Sequence, residues 1–484
     1  MNNMWTNQIP GQGKRVLMLT PDVTIDRRIL IEAETLIDNG YEVYLLAGWD
    51  GKSEDLFEVE GRVKVERIKY EGIDQRFTFL YKSQNYLISL LNQISSEADV
   101  TANKICLKLN NIYSLYSQLI SKLIYIIFFK PLLLFLTLAV KTKSFIITSL
   151  AKSINLIVKI IVKIAPFFTE LNGYENIFFA KGLFYRPDII HVHDLPMLKS
   201  GVKLKQALNI PLIYDMHEFY SEQDCLTTLQ QKNLRKTESI NINYTDARIT
   251  VNPMLADEIS KSYNNISIEV IQNSMIIDPK FHEKKYDRFR EEYSIDKDDI
   301  ILLYQGWISP SRNLQNLVKG LVKVEKPIKL VIMGYGDFKE ELEKIAESLN
   351  IKNKLIFVPT KTQAELLSYT ASADIGIIPY PFKLDPNTKY ASPNKLYEFI
   401  AAGLPILCND LPFVKSIVEE NGFGIAFDMD TPESFAESLN NFPFDKIEYF
   451  KKNLAGKGHN FLWEAEAPKL LEIYNLLKTY NPGL

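Results

Sequence analysis

The chain has 484 residues, room for two large domains or about three average ones. Its 56 Lys and Arg nearly balance 59 Asp and Glu, a formal charge of −3 that excludes a protein built to coat nucleic acid, while 46% hydrophobic and 24% charged residues exclude a mostly disordered chain. Cys106, Cys225 and Cys408 are scattered and form no CxxC pair, which argues against a disulfide framework or a zinc ribbon and for a reducing cytosol.

In chain order, residues 1–12 are polar and lack the apolar run of a secretory leader. Residues 15–20 (RVLMLT) form an apolar run typical of a buried parallel strand. A helix is expected over 26–39, with Ile29, Ala33, Leu36 and Ile37 on one stripe and Gly40 as its stop. A second strand is expected at 42–47. The stretch from Val100 to Thr169 departs from this pattern. It holds nine lysines and no Asp, Glu or Arg, so it carries +9 and leaves −12 on the rest of the chain. Residues 123–140 read LIYIIFFKPLLLFLTLAV, which as a helix spans ~27 Å, close to a bilayer core. Its apolar residues favour insertion by roughly 6 kcal/mol, Lys130 opposes by about 3 kcal/mol, and Pro131 would kink the helix. In 144–165, Lys152, Lys159 and Lys163 share one helix face, and Ile154, Ile157, Val158, Ile161 and Ala165 share another. A basic amphipathic helix of this kind lies in an anionic membrane interface, and a buried helical hairpin over a sheet edge is the plainer reading.

Beyond the insert, strands are expected at 188–193, 211–214, 247–251 and 268–271, with helical periodicity near 196–208, 230–244 and 253–262. The polar, broken stretch 274–298 reads as a boundary. A second series of strands follows at 300–305, 328–333, 354–358, 374–378 and 405–408. Helices are expected at 313–324, 338–349, 363–371, 393–402 and 413–420, and a last amphipathic helix at 461–480. Strands alternating with helices imply two doubly wound parallel sheets, which bind ligands at the carboxyl ends of their strands.

Several motifs carry chemistry. Residues 390–405 read YASPNKLYEFIAAGLP. Ser392, Pro393, Asn394 and Lys395 open a helix after a polar loop, and free N–H groups at such a start bind phosphate. Lys395 in the first turn opposes the helix dipole unless an anion sits there, and Glu398 one turn on could accept two ribose hydroxyls. This segment resembles the retaining glycosyltransferases of family 4, whose signature is a pair of glutamates eight positions apart before an Ala-Ala-Gly ending. Glu398 matches the second glutamate; Tyr390 stands in place of the first. Residues 304–314 (YQGWISPSRNL) are similar to the family's Gly-Arg segment. Gly306 matches, Trp307 replaces the Arg, and Arg312 stands where the family has Lys and can grip a diphosphate bidentately. Gly334-Tyr335-Gly336 resembles the family's Gly-x-Gly turn, though by itself it also reads as a plain turn.

In the first half, PDIIHVHDLP (187–196) and YDMHEFYSE (214–222) resemble polysaccharide-assembly members of the family. His191 and His193 share one side of a strand, with His193 at its carboxyl end beside Asp194. His-x-His suggests a metal, but no third or fourth ligand has matching spacing, so none is expected. VIQN (270–273) is similar to the family's Val-Ile-Pro-Asn turn. The family's Gly-Gly loop is absent, and Thr24, Ile25, Asp26, Arg27 and Arg28 resemble its Asp-x-Arg subgroup.

The resemblance implies an α/β fold of two Rossmann-like doubly wound domains (GT-B) facing a cleft. The expected divisions are 1–274, carrying a helical membrane-associating insert at 77–170, then 275–458, and a C-terminal helix in 459–484 crossing back to the first domain. It implies that His193, Arg312 and Lys395 act at the reaction centre. Gly306, Gly334, Tyr390, Ser392, Pro393, Asn394 and Glu398 would hold the donor, and Asp26, Arg27, Asp194, His217 and Glu218 would lie on the acceptor side. The implied reaction is metal-independent transfer of a sugar from a nucleotide-sugar, UDP-linked by family frequency, with retained configuration, in surface polysaccharide synthesis. Implied partners are an undecaprenyl-diphosphate-linked or oligosaccharide acceptor, plus anionic lipid bound through 119–168 at the cytoplasmic face of the plasma membrane. No nucleic acid is expected. A nucleotide-sugar 2-epimerase of the same fold and a non-catalytic membrane scaffold are the alternatives.

Overall fold

A computed structural model describes residues 11, 13–50, 56–68, 175–223, 226–382 and 385–478. The expected insert at 77–170, with its lipid-binding part 119–168, lies outside the described residues, as do Cys106 and Cys225. Among the described residues no helix is long and apolar enough to cross a membrane.

Apolar runs bounded by turn residues become strands because both their faces are covered. In the first domain these are β1 (Arg15–Leu19), β2 (Glu42–Gly48), β3 (Phe57–Glu60), β4 (Val63–Ile68), β5 (Ile189–His193), β6 (Leu212–Met216), β7 (Ala247–Thr250) and β8 (Glu269–Val270). They form one sheet in the order β3-β4-β2-β1-β5-β6-β7-β8, parallel except for the antiparallel edge pair β3–β4. The second domain has β9 (Ile300–Trp307), β10 (Ile328–Tyr335), β11 (Leu355–Pro359), β12 (Ile375–Ile378), β13 (Ile406–Asn409) and β14 (Gly424–Phe427), all parallel, in the order β11-β10-β9-β12-β13-β14. In both sheets the order reverses beside the first strand, between β1 and β5 and between β9 and β12. That switch point is where doubly wound sheets open a ligand crevice.

The helix Arg27–Asp38 begins at Asp26, whose side chain accepts from the Arg28 amide at 2.8 Å. Ile29, Ala33 and Leu36 are buried, and Ile37 packs at the edge of the same cluster. The sequence reading missed the β3–β4 hairpin and β14, whose four residues Gly424–Phe427 are too short to show a period. It also missed the helices Pro432–Asn441 and Ile447–Lys457.

The chain passes between the domains twice, at adjacent points. Met275 leaves the first domain, and its carbonyl accepts from the Trp463 amide at 2.9 Å, where the final helix begins. That helix, Trp463–Lys478, packs on the first domain: Trp463, Leu470, Ile473, Tyr474 and Leu477 join the core formed by β1, β2 and the helix Arg27–Asp38. Trp463 Nε1 donates to Thr35 Oγ1 at 2.7 Å, and Tyr474 OH lies 3.0 Å from His191 Nδ1. Replacing Trp463 by Ala removes a buried indole and its hydrogen bond. The expected loss is about 3–5 kcal/mol of stability, read as a lowered unfolding temperature of the first domain.

Candidate functional site

The carboxyl ends of both sheets border one cavity of about 810 Å³. On the second domain its wall is made where β9 ends. Gly306 has φ +115°, a conformation open to glycine, and a Cβ there would sit 3.6 Å from Lys395 Nζ. Gly334, its register partner on β10, approaches so closely that a Cβ would lie 1.9 Å from the Gly306 carbonyl oxygen. Gly334 therefore shapes the wall without lining it.

Two cations dominate this wall. Lys395 stands in the first turn of the helix Asn394–Ala402, a turn that no side chain caps. Lys395 is 5% exposed, and its Nζ is buried without a hydrogen-bond partner. The ammonium lies over the rings of Tyr304 (3.8 Å) and Tyr380 (4.8 Å). Burial, and then the neighbouring Arg312, push its pKa well below that of an ordinary lysine; Glu398 opposes this. The Arg312 guanidinium lies over the same Tyr380 ring at 4.3 Å and near Trp307 at 5.6 Å, with its Nε also buried and unpartnered. Two positive groups held together without a carboxylate between them form a receptor for an anion with several oxygens. Tyr304 and Tyr380, which hold these cations, carried no sequence signal beyond ordinary strand hydrophobicity.

Tyr390, Ser392, Pro393, Asn394 and Glu398, assigned by resemblance to the donor side, line the cavity. Several are tied across the cleft. Asn252 donates to the Tyr390 carbonyl at 2.9 Å, Asn273 to the Ser392 carbonyl at 2.9 Å, and Asn394 to Asp26 at 3.4 Å. Asn387 accepts from the Phe219 amide and donates to the Phe219 carbonyl, at 2.8 and 3.0 Å. Arg27, assigned by resemblance to the acceptor side, reaches the other domain: its Nη1 donates to Glu398 Oε1 at 2.7 Å.

On the first domain Asp26, His217 and Glu218 line the cavity. His193 does not. It is fully buried behind His217, with Nδ1 3.2 Å from His217 Nε2. Both histidines belong to a buried cluster that the spacing argument could not see. The fold brings Glu32 and Asp215 to His191 and His193, so four ligand atoms lie within 4.8 Å of one another. The third and fourth groups missing from the sequence pattern are thus present in space. The Arg28 guanidinium is bound into this set. It donates to both Asp215 oxygens at 2.7 Å and to Glu32 at 2.8 Å, and so supplies the positive charge that the carboxylates require. Burial raises the Asp215 pKa, but Arg28 and then His217 hold it well below the usual range. Glu32 is raised, by burial and then by Asp215. Burial and His191 drive His193 well down, so its ring is neutral.

His217 is different. Burial lowers its pKa, but Asp194 and Asp215 outweigh this and push it up to about 10. Burial raises the Asp194 pKa, and the charged His217 ring beside it pulls it back down. Asp194 also accepts from the His217 amide at 3.1 Å and holds φ +61°, a strained backbone beside the cavity. The first-domain wall therefore presents an imidazolium.

Two doubly wound parallel sheets whose switch-point crevices border one cavity are the arrangement of the GT-B fold. Residues 285–454 match the family Glycosyl transferases group 1, and residues 151–278 match Glycosyltransferase Family 4. The protein is a glycosyltransferase, and its first domain is similar to family 4. An uncharacterized glycosyltransferase of Methanocaldococcus jannaschii is 23% identical over 60% of this chain and 75% of its own length. Alpha-monoglucosyldiacylglycerol synthase of Streptococcus pneumoniae is 22% identical over 50% of this chain and 56% of its own. Among solved structures, sucrose-phosphate synthase of Thermosynechococcus elongatus superposes with TM-score 0.62 at 13% identity, covering 96% of this chain and 99% of that one. HepE of Anabaena, solved with UDP and glucose, gives TM-score 0.59 at 11% identity, covering 96% and 100%. At these identities the structures show the fold alone.

A group raised from 6.5 to about 10, as His217 is, contributes stability that is whole below about pH 6.5 and is lost as pH rises through 10. With selectively labelled histidines, the His217 ring should remain protonated at pH 8, and Asp194→Asn should bring its titration down.

Proposed function

We propose that the protein transfers a sugar from a nucleotide-sugar, UDP-linked in the reading favoured here, to a lipid-linked or saccharide acceptor with retention of configuration. The observation that carries this reading is the pair Lys395 and Arg312, two buried and unpartnered cationic N–H groups in one interdomain cavity. A diphosphate between them would satisfy both and gain charge stabilisation as it leaves. In a front-face displacement the bond from the anomeric carbon to the phosphate oxygen breaks. The bond to the acceptor oxygen forms on the same face, and the acceptor proton passes to the departing phosphate. The protein then supplies positive charge rather than a nucleophile. Glu398 holds the ribose, and His217 faces the transferred sugar and acceptor with His193 fixing its ring from behind. Lys395 and Arg312 provide the larger part of its counter-charge, and the reaction proposed uses no metal.

A lipid-borne acceptor, such as an undecaprenyl-diphosphate sugar, is supported by the Lys-rich apolar stretch 119–168, whose composition suits anionic lipid at the cytoplasmic face of a membrane. The pneumococcal relative is named for a diacylglycerol glycolipid. WaaG, with TM-score 0.54 at 11% identity over 95% of this chain and 99% of its own, is described as acting in lipopolysaccharide biosynthesis. A role in surface polysaccharide assembly follows from the same chemistry.

Purified enzyme given UDP-sugars and a lipid-extract acceptor should form glycolipid. Glu398→Ala and Arg312→Ala should each lower the rate by about 100-fold or more while folding is kept. Wild-type rates in both variants would mean that the site is misassigned. Deleting 119–168 should move the protein from the membrane to the soluble fraction of a lysate, and an unchanged distribution would remove the anchor from the proposal.

Anion binding should also load a proton onto Lys395, because a bound diphosphate favours the charged form that burial disfavours. Affinity for UDP should therefore fall as pH rises through the range in which Lys395 loses its proton, and calorimetry there in buffers of different ionisation enthalpy should show proton uptake by wild type and none by Lys395→Met.

A further inference from the structure

The least expected contact in the cleft is the ion pair between Arg27 and Glu398. It joins the first turn of a first-domain helix to the carboxylate proposed for the donor ribose. The pair is largely shielded, with side chains 12% and 11% exposed, and its N–O distance is 2.7 Å. Both Glu398 oxygens are engaged: Oε1 accepts from Arg27, and Oε2 accepts from Gln305. Gln305 is fixed in turn, because Thr370 Oγ1 donates to its Oε1 at 2.9 Å. A ribose diol that takes this carboxylate must displace one of the two donors. Arg27 is the one free to move, since it comes from the opposite domain.

Its destination follows from charge. Arg27 Nε is buried and unpartnered, as are Arg312 Nε and Lys395 Nζ. Lys395 lies on the same helix face as Glu398, three residues before it, so a guanidinium released from Glu398 is already beside the diphosphate receptor. A free nucleoside diphosphate carries about −3 at neutral pH, more than Arg312 and Lys395 together neutralise. At the end of β9, Trp307 offers an aromatic ring, 49% exposed, and no charge.

We propose that Arg27 is a third diphosphate ligand supplied across the cleft, held on Glu398 until the donor ribose takes its place. The proposal rests on the donor site described above. In the empty cleft Arg27 occupies the ribose subsite. In the filled cleft it binds phosphate, so the domains are joined through the substrate instead of through each other. Nucleoside and nucleoside diphosphate consequently respond to Arg27 in opposite ways: the first competes with it, and the second recruits it.

The experiment measures binding of uridine and UDP to the full chain by calorimetry. Arg27→Met should weaken UDP at least tenfold and leave uridine unchanged or tighter, so that UDP's advantage over uridine collapses. Adding Trp307→Arg to that variant restores a cation to the same wall and should recover UDP affinity, which a misfolded cleft could not do. Equal weakening of both ligands without recovery, or unchanged UDP binding, would show that Arg27 merely bridges the domains, leaving the donor site intact. Failure of wild type to bind UDP or any other nucleoside diphosphate would remove the donor site itself, and this inference with it.

Discussion

The Lys395 side chain buried beside the Arg312 guanidinium, with no carboxylate hydrogen-bonded to the Lys395 nitrogen among the described residues, is the interaction on which the cleft depends. Desolvating a charge is costly, and placing a second like charge beside it costs more. The protein contains the cost with aromatic rings. Tyr304 and Tyr380 give Lys395 and Arg312 the negative faces of their π systems in place of counter-ions. Rings attract cations without saturating them, so the N–H groups stay available. A carboxylate in the same place would stabilise the empty cavity and compete with the ligand.

The opposite wall solves a related problem by the opposite means. There Asp215 gathers Arg28, His191, His193 and His217 around one buried carboxylate. Charge is compensated internally, and only His217 reaches the cavity. One wall thus pairs its buried charges with one another, while the other leaves its cationic groups without a hydrogen-bonded carboxylate. The Arg27–Glu398 pair connects the two.

Most of the fold was legible because the two series of buried strands and amphipathic helices keep their periods over long stretches. The strands from residues 15 to 47 and 300 to 408 fell where apolar runs met turn residues. The hairpin at residues 57–68 was not legible, since FEVE at an exposed sheet edge has no buried face to mark it. Within the site, the second-domain residues could be read because the helix at 394–402 places its donors in consecutive positions. The first-domain cluster could not. Arg28, Glu32 and Asp215 are separated by up to 187 residues, and only the sheet order makes them neighbours. For the same reason His193, at the motif's most prominent position, lies behind His217. Motif spacing gives the strand a histidine belongs to, and packing decides which histidine faces the ligand.

The final helix has a consequence for how the protein is made. Its Trp463, Leu470, Ile473, Tyr474 and Leu477 complete the core of the domain that begins at β1, and Tyr474 meets His191 beneath the cleft. Domains usually fold in order as the chain leaves the ribosome. Here the first domain to emerge is the last to be finished, because part of one face of its sheet stays uncovered until residues 463–477 have been synthesised. The second domain, whose sheet lies within residues 300–427, has its core completed by Phe450, Leu454 and Phe461, just before that helix begins. A chain ending before residue 463 would therefore hold a second domain with its core complete, attached to a first domain with exposed apolar surface, a substrate for chaperones rather than an enzyme.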